Sequence, residues 1–156
     1  MALFNWLVAT EVSEVGTSWF DFYSIGHICL GIAIFLFFSL FYTIPKARGS
    51  TPIFSLLFVF IITLILLIAW EVLENTLLFM LDLKFENRLD SFQNIFTDII
   101  MGLLGGLIAW LFAYFTFEKH WKLWPYYTFG IICFAVWLGV FIILRELTFL
   151  NSPVIS

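Results

Sequence analysis

The chain has 156 residues, 63% of them hydrophobic, 21% aromatic and only 12% charged, with eleven acids against seven bases for a formal charge of −4. A soluble domain carries about 25% charged residues, so the composition excludes a soluble globule and defines an integral membrane protein. No basic block is present that can track a phosphate backbone, which argues against nucleic acid as a partner.

Each membrane span uses roughly 20 residues, so the length allows one transmembrane domain over residues 1–156. The expected fold is all-α: a four-transmembrane-helix bundle with a short N-terminal interfacial segment. Met1 to Gly16 lacks a positive n-region and carries Glu11 and Glu14, against the pattern of a signal peptide. Leu3, Phe4, Trp6, Leu7 and Val8 fit a short interfacial helix. The first span is predicted over about 24–42, ended by Pro45 and the Lys46, Arg48, Gly49 turn. Asp21, Ser24, His27 and Gly31 are three or four apart and share one face of that helix and its first turn. Cys29 and Cys133 sit in apolar runs without metal-ligand spacing and read as small buried residues.

The second span, 53–81, exceeds the roughly 20 residues that a bilayer needs and must tilt or emerge. It is interrupted by Trp70, Glu71, Glu74, Asn75 and Thr76. Glu71, Glu74 and Asn75 stand at i, i+3 and i+4, on one helix face. Glu71 lies about 16 Å along the axis from Asp82, surrounded in sequence by Ile68, Ala69, Val72, Leu73, Leu77 and Leu78. Ionisable groups at such depth are costly and face a bundle interior or a wet cavity.

A mixed-charge loop follows, with Lys84, Glu86, Asn87 and Arg88, and belongs at a membrane surface. The third span is predicted over 92–117. Asn94, Asp98, Gly102, Gly105, Gly106, Ala109 and Ala113 recur there at helical spacing, a stripe that is polar at its start and lets another helix approach along its length. Glu118, Lys119, His120 and Lys122, with Trp121, Trp124, Tyr126 and Tyr127, read as a loop in an aromatic belt. The fourth span, 126–144, delivers Arg145 and Glu146 at its far end.

Four spans place both termini and the 82–90 loop on one side. Lys46, Arg48, Lys119 and Lys122 lie on the other, which by the positive-inside rule puts the termini on the non-cytoplasmic face, with the cell membrane as the expected location. Asp21, His27, Glu71, Glu74, Asn75, Arg88, Asp90, Asn94, Asp98 and Arg145 then all fall toward one membrane face.

Tyr23 and His27, the string Trp70-Glu71-Val72-Leu73-Glu74-Asn75-Thr76, and Asp90-Ser91 with Asn94 and Asp98 resemble the pattern of a family of small bacterial multi-pass membrane proteins. That pattern runs Tyr-x-x-x-His, Trp-Glu-x-x-Glu-Asn-Thr and Asp-Ser-x-x-Asn-x-x-x-Asp, and Arg145-Glu146-Leu147-Thr148 with Asn151 is similar to its closing segment. The chain departs from it in a shorter loop before Asp90 and in lacking a cysteine-containing N-terminal stretch. More loosely, His27, Glu74, Arg88, Asp90 and Asn94 resemble VanZ-like proteins, which place His, Glu, Arg, Asp and Asn in that order. That likeness implies a link to cell-envelope glycolipids and glycopeptides without supplying a reaction.

Two functions of different classes suit these residues. In the first, an intramembrane site binds a divalent metal ion or a polar lipid head group. His27, Glu71, Glu74 and Asp98 are its candidate metal ligands, Glu71, Glu74 and Asp98 its candidate catalytic groups, and Arg88, Arg145, Asn75, Asn94 and Asp90 its head-group contacts. A water on such an ion would be activated for hydrolysis. The paired Glu-x-x-His segments of di-iron bundles are missing, and whether the chain is an enzyme stays open. In the second, the chain is a small structural or accessory subunit of a larger membrane complex, and the polar cluster fixes packing. Membrane lipids are partners in both, other membrane subunits in the second. Ser24 and Ser91 lack an assured base for nucleophilic catalysis, and four spans without a repeat argue against a transporter. Asp21, Glu71, Glu74, Asp90 and Asp98 outnumber Arg88, Arg145 and His27, so the cluster is over-acidic and calls for a compensating cation or for protons.

Overall fold

The computed structural model describes residues 4–118 and 122–152. It is a bundle of four helices, each long and apolar enough to cross a membrane: α1 Phe22–Ala47, α2 Leu56–Leu73, α3 Phe92–Glu118 and α4 Leu123–Asn151. Leu3, Lys119, His120 and Trp121, which the sequence reading places in the interfacial segment and the aromatic loop, lie outside the described residues.

Helix α1 begins at a reciprocal cap. The Asp21 carboxylate accepts from the N–H of Tyr23 at 2.8 Å and of Ser24 at 3.2 Å, and the Ser24 hydroxyl accepts from the Asp21 N–H at 3.2 Å. Pro45 does not end the helix as expected, because the carbonyl it cannot bond, that of Phe41 four residues earlier, is taken by the N–H of Ile53 at 3.0 Å. The proline is thereby absorbed in the last turn, and α1 reaches Ala47. Helix α2 does not reach back to Ile53. That helix starts at Leu56 instead, behind the cap that Ser55 Oγ gives to Phe58 N at 3.1 Å.

Helix α2 runs on through a wide π turn, Glu74–Leu78. Widening takes carbonyls out of the regular i→i−4 ladder, and side chains inserted there fix such a register. The Asn75 amide donates to the Glu71 carbonyl at 3.2 Å and the Thr76 hydroxyl donates to that of Val72. Helix α4 is longer at both ends than the predicted 126–144. Pro125 falls in its first turn, where N–H groups have no intrahelical partner anyway. Arg145 and Glu146 lie inside the helix, on its exposed side. With 29 residues α4 is about 43 Å long at 1.5 Å per residue, enough to carry charges beyond a hydrocarbon layer of about 30 Å.

The N-terminal segment folds back over the bundle end instead of forming the expected interfacial helix at residues 4–8. Residues 4–7 form a turn, Val8 pairs with Phe20 in an isolated bridge, and Trp6 and Leu7 give their carbonyls to the N–H groups of Trp19 and Phe20 at 3.1 and 2.9 Å. Val12 N donates to Ser152 Oγ at 2.7 Å, and the Arg88 guanidinium donates to the carbonyls of Ser13 at 2.6 Å and Val12 at 3.0 Å. Both ends of the described chain and the 82–90 loop thus meet at one end of the bundle. At the other end Tyr42 donates to Glu118 at 2.7 Å, Lys46 pairs with Glu118 at 3.2 Å and the hydroxyls of Thr43 and Tyr127 are 2.6 Å apart.

Helices α1 and α3 form the tightest contact. A Cβ on Gly31 would stand 1.8 Å from the Gly102 carbonyl oxygen, and one on Gly105 would stand 2.1 Å from that of Ile28. The glycine stripe of α3 is therefore spent inside the chain, with Gly102 also covered by Leu67 and Gly106 by Thr63. Gly31→Ala must push two backbones apart, a cost at or above the about 1–3 kcal/mol of ordinary overpacking, whereas Gly139 has open space around it. Thermal unfolding in mild detergent should show a clear loss for Gly31→Ala and none for Gly139→Ala. Equal midpoints for the two would contradict the contact.

Candidate metal centre and its polar surround

One turn before the glycine crossing, α1 carries His27, and α3 carries Asp98 four residues before Gly102. The crossing brings these two side chains together, and α2 adds Glu71. His27 Nε2 lies 3.5 Å from Glu71 Oε1 and 3.7 Å from Asp98 Oδ2. The three residues are 6, 4 and 2% exposed, in the order His27, Glu71, Asp98. One ligand atom from each lies within 4.8 Å of the others, a set able to hold a metal ion.

Hydrogen bonding leaves this trio incomplete. His27 Nδ1, both Glu71 oxygens and Asp98 Oδ1 are buried and have no hydrogen-bond partner among the described residues. Buried polar atoms are nearly always satisfied, and an orphan points to strain, function, water or an ion. Four such atoms belong to these three side chains, whereas Asp21, Asn75 and Lys84 beside them are hydrogen-bonded.

Those neighbours form two further groups. Asp21 takes four hydrogen bonds, from Tyr23 N and Ser24 N on one oxygen and from Gly16 N at 2.8 Å and the Asn94 amide at 3.1 Å on the other. Burial pushes the Asp21 carboxyl up from the ordinary aspartate value, and these hydrogen bonds pull it down. Asn94 spends its second amide hydrogen on the Ser18 carbonyl at 3.1 Å. Gly16, at φ +76, is the joint of this group, because its carbonyl also accepts from Ser91 N at 2.7 Å and a Cβ there would meet Asp90 Oδ1 at 2.6 Å.

The second group is centred on Lys84, whose side chain is 3% exposed. Its ammonium donates to Glu74 at 3.3 Å, to Asn75 Oδ1 at 3.2 Å and to Asp90. Asn75 donates to Asp90 at 3.1 Å and accepts from Asp90 N at 2.9 Å, so all its hydrogen-bonding capacity is used.

The residues expected at the site therefore separate. His27, Glu71 and Asp98 come together. Glu74 and Asn75, at the start of the π turn, are bonded to Lys84, and Glu74 lines the cavities that border His27 and Asp98. Asp90 joins them there, and Asn94 braces Asp21. Arg88 borders a small polar cavity of about 10 Å³ with Asp98, Glu74, Lys84 and Asp90, although its guanidinium is held by the N-terminal carbonyls. Arg145 is exposed and rests on the Phe149 ring, 5.6 Å from its centroid.

Lys84 is the site residue that the sequence did not assign. It looks like an ordinary loop cation, and only the excess of acids over assigned bases pointed to a further positive group.

Comparison of the chain with models of known protein families, with curated proteins and with solved structures gives no match in any of the three. Fold and site together define the class: an all-α membrane protein with a four-helix bundle and a buried His/Glu/Asp cluster near one end.

Removing one partner of a buried ion pair costs about 3–5 kcal/mol, and Lys84 serves two carboxylates. Lys84→Ala should therefore lower the thermal midpoint strongly, and Glu86→Ala, on the exposed side of the same loop, should not. An unchanged midpoint in Lys84→Ala would show that the ammonium does not hold the loop to α2.

Proposed function

We propose that this protein is an intramembrane metal-binding protein, its ion held by His27, Glu71 and Asp98, which acts on the polar part of a membrane lipid. One observation carries the reading: three buried ligand-type side chains converge with four polar atoms that no described group satisfies. Two atoms bound to one ion at about 2.0–2.2 Å lie roughly 3–3.5 Å apart in octahedral or tetrahedral arrangement. The contacts of 3.5 and 3.7 Å from the imidazole suit a small contraction onto such an ion. One nitrogen and two carboxylates favour a divalent ion of hard or borderline character.

Charge supports the same reading. Two carboxylates beside one imidazole in a low-dielectric interior need a compensating cation or protons, and Lys84 is already engaged by Glu74 and Asp90. Glu74 is thereby left as a neighbour of the centre, outside its ligand set. A bound divalent ion polarises a carbonyl or lowers the pKa of a water, which makes hydrolysis the chemistry best suited to the site. The resemblance to VanZ-like proteins would make envelope glycolipids the setting of that chemistry. Lys46, Arg48 and Lys122 at the far bundle end favour a cell-membrane protein with its metal end on the non-cytoplasmic face.

An accessory-subunit role is the second reading, favoured by α4, which buries only Tyr126, Gly130 and Thr148 within the bundle. Native purification in mild detergent separates the two. Elemental analysis should find about one equivalent of a divalent metal per chain, lost in His27→Ala and in Glu71→Gln, and a chelator should lower the thermal midpoint of the wild type alone. A chain without metal and indifferent to chelator, recovered in a larger complex, would overturn the metal reading in favour of the subunit. Cysteines at Asn87 and Asn151 should react with an impermeant reagent from outside the cell and one at Gly49 should not. The opposite pattern would reverse the orientation.

A further inference from the structure

A second cavity, of about 280 Å³, opens on the flank of the bundle between α1, α2 and α4. Its wall is apolar, built from Gly26, Leu30, Trp70, Leu138 and Phe141, and its inner end is polar, reaching His27, Glu74 and Tyr23. Gly26 keeps it open, since a Cβ there would already press on the Phe141 ring at 3.2 Å. The small polar cavity beside Lys84 and Asp98 has space for about one water at its 10 Å³. Tyr23 and Glu74 belong to the walls of both. An apolar slot that borders His27 and a water-sized polar chamber that borders Asp98 are therefore separated by a shared wall of Tyr23 and Glu74.

We infer that the flank groove receives the hydrocarbon chain of a single-chain membrane amphiphile whose polar head is uncharged, delivered laterally from the bilayer to His27. This rests on the metal-site reading for what happens at the head, but chain binding stands apart from it. The groove lies at membrane depth on helices that span it, so its neighbours are lipid chains. Its polar end selects the head. A carboxylate, Glu74, lines it and neither Lys nor Arg does, Lys84 and Arg88 being placed on the other cavity. Glu74 is already paired with Lys84 at 3.3 Å and Lys84 also serves Asp90, so no cation is left over to pair with an anionic head, whereas an ester, amide or alcohol head needs none.

The test uses the full chain in nanodiscs and a photoreactive analogue of monomyristoylglycerol, with crosslinks mapped by mass spectrometry and metal content measured on the same samples. Crosslinks should concentrate on Leu30, Trp70, Leu138 and Phe141. Excess unlabelled monomyristoylglycerol should reduce them about tenfold, equivalent to about 1.4 kcal/mol of occupancy, and myristate should not. Leu138→Trp, which fills the groove from α4 away from the metal cluster, should remove the signal, whereas Leu138→Ala should keep it, both with unchanged metal content and thermal midpoint. Labelling no stronger than at the outward-facing Ile131 and Val136, which are 63 and 60% exposed, would overturn the inference, as would equal competition by myristate. Groove labelling in a protein that holds no metal would leave this inference standing and remove the metal reading alone.

Discussion

Helices α1 and α3 touch backbone to backbone where Gly31 faces the Gly102 carbonyl and Gly105 faces that of Ile28, and the polar cluster depends on that contact. Side chains of ordinary size hold helices 8–10 Å apart, a separation at which a histidine and an aspartate on facing helices need not meet. With glycine on both sides the helices close, and the residues one turn away, His27 and Asp98, are forced together. The crossing thus converts a packing motif common in membranes into a device for bringing ionisable groups within reach of one another.

Closing the helices carries an electrostatic cost, which the surrounding groups meet in different ways. Asp21 is neutralised in effect by four hydrogen bonds, three from backbone N–H groups and one from Asn94. Glu74 and Asp90 are neutralised by Lys84. Glu71 faces His27, and Asp98 faces His27 and Ser24. The gradient runs from saturated groups at the bundle end to unsatisfied ones one helical turn deeper. A fold that merely needed polar glue would satisfy its deepest groups first, because orphaned polar atoms cost most where the dielectric is lowest.

Much of the architecture was legible in the sequence because the signals were strong and local. Four apolar runs gave four helices, and the i, i+4 spacing of Asn94, Asp98 and Gly102 put the acid and the glycine on one face. Helix ends were less legible where the deciding partner was remote: Pro45 reads as a stop until Ile53, eight residues on, supplies the missing hydrogen bond. The division of Glu71 from Glu74 and Asn75 was hidden for a similar reason. Spacing puts them on one face, but it does not show that Lys84, ten residues after Glu74, reaches back to take Glu74 and Asn75 while Glu71 is left with His27. Lys84 was obscured by its loop, whose positive-φ residues Asp82, Glu86 and Asn87 bend the chain back over α2 in a way that spacing does not reveal.

The central claim is that His27, Glu71 and Asp98 coordinate one ion, and X-ray absorption at the metal edge of the natively purified protein tests it most directly. The account predicts a first shell containing one imidazole nitrogen and carboxylate oxygens at about 2.0–2.2 Å, with the imidazole scattering lost in His27→Ala reconstituted with the same metal. A shell of water oxygens without imidazole, unchanged by that substitution, would contradict it.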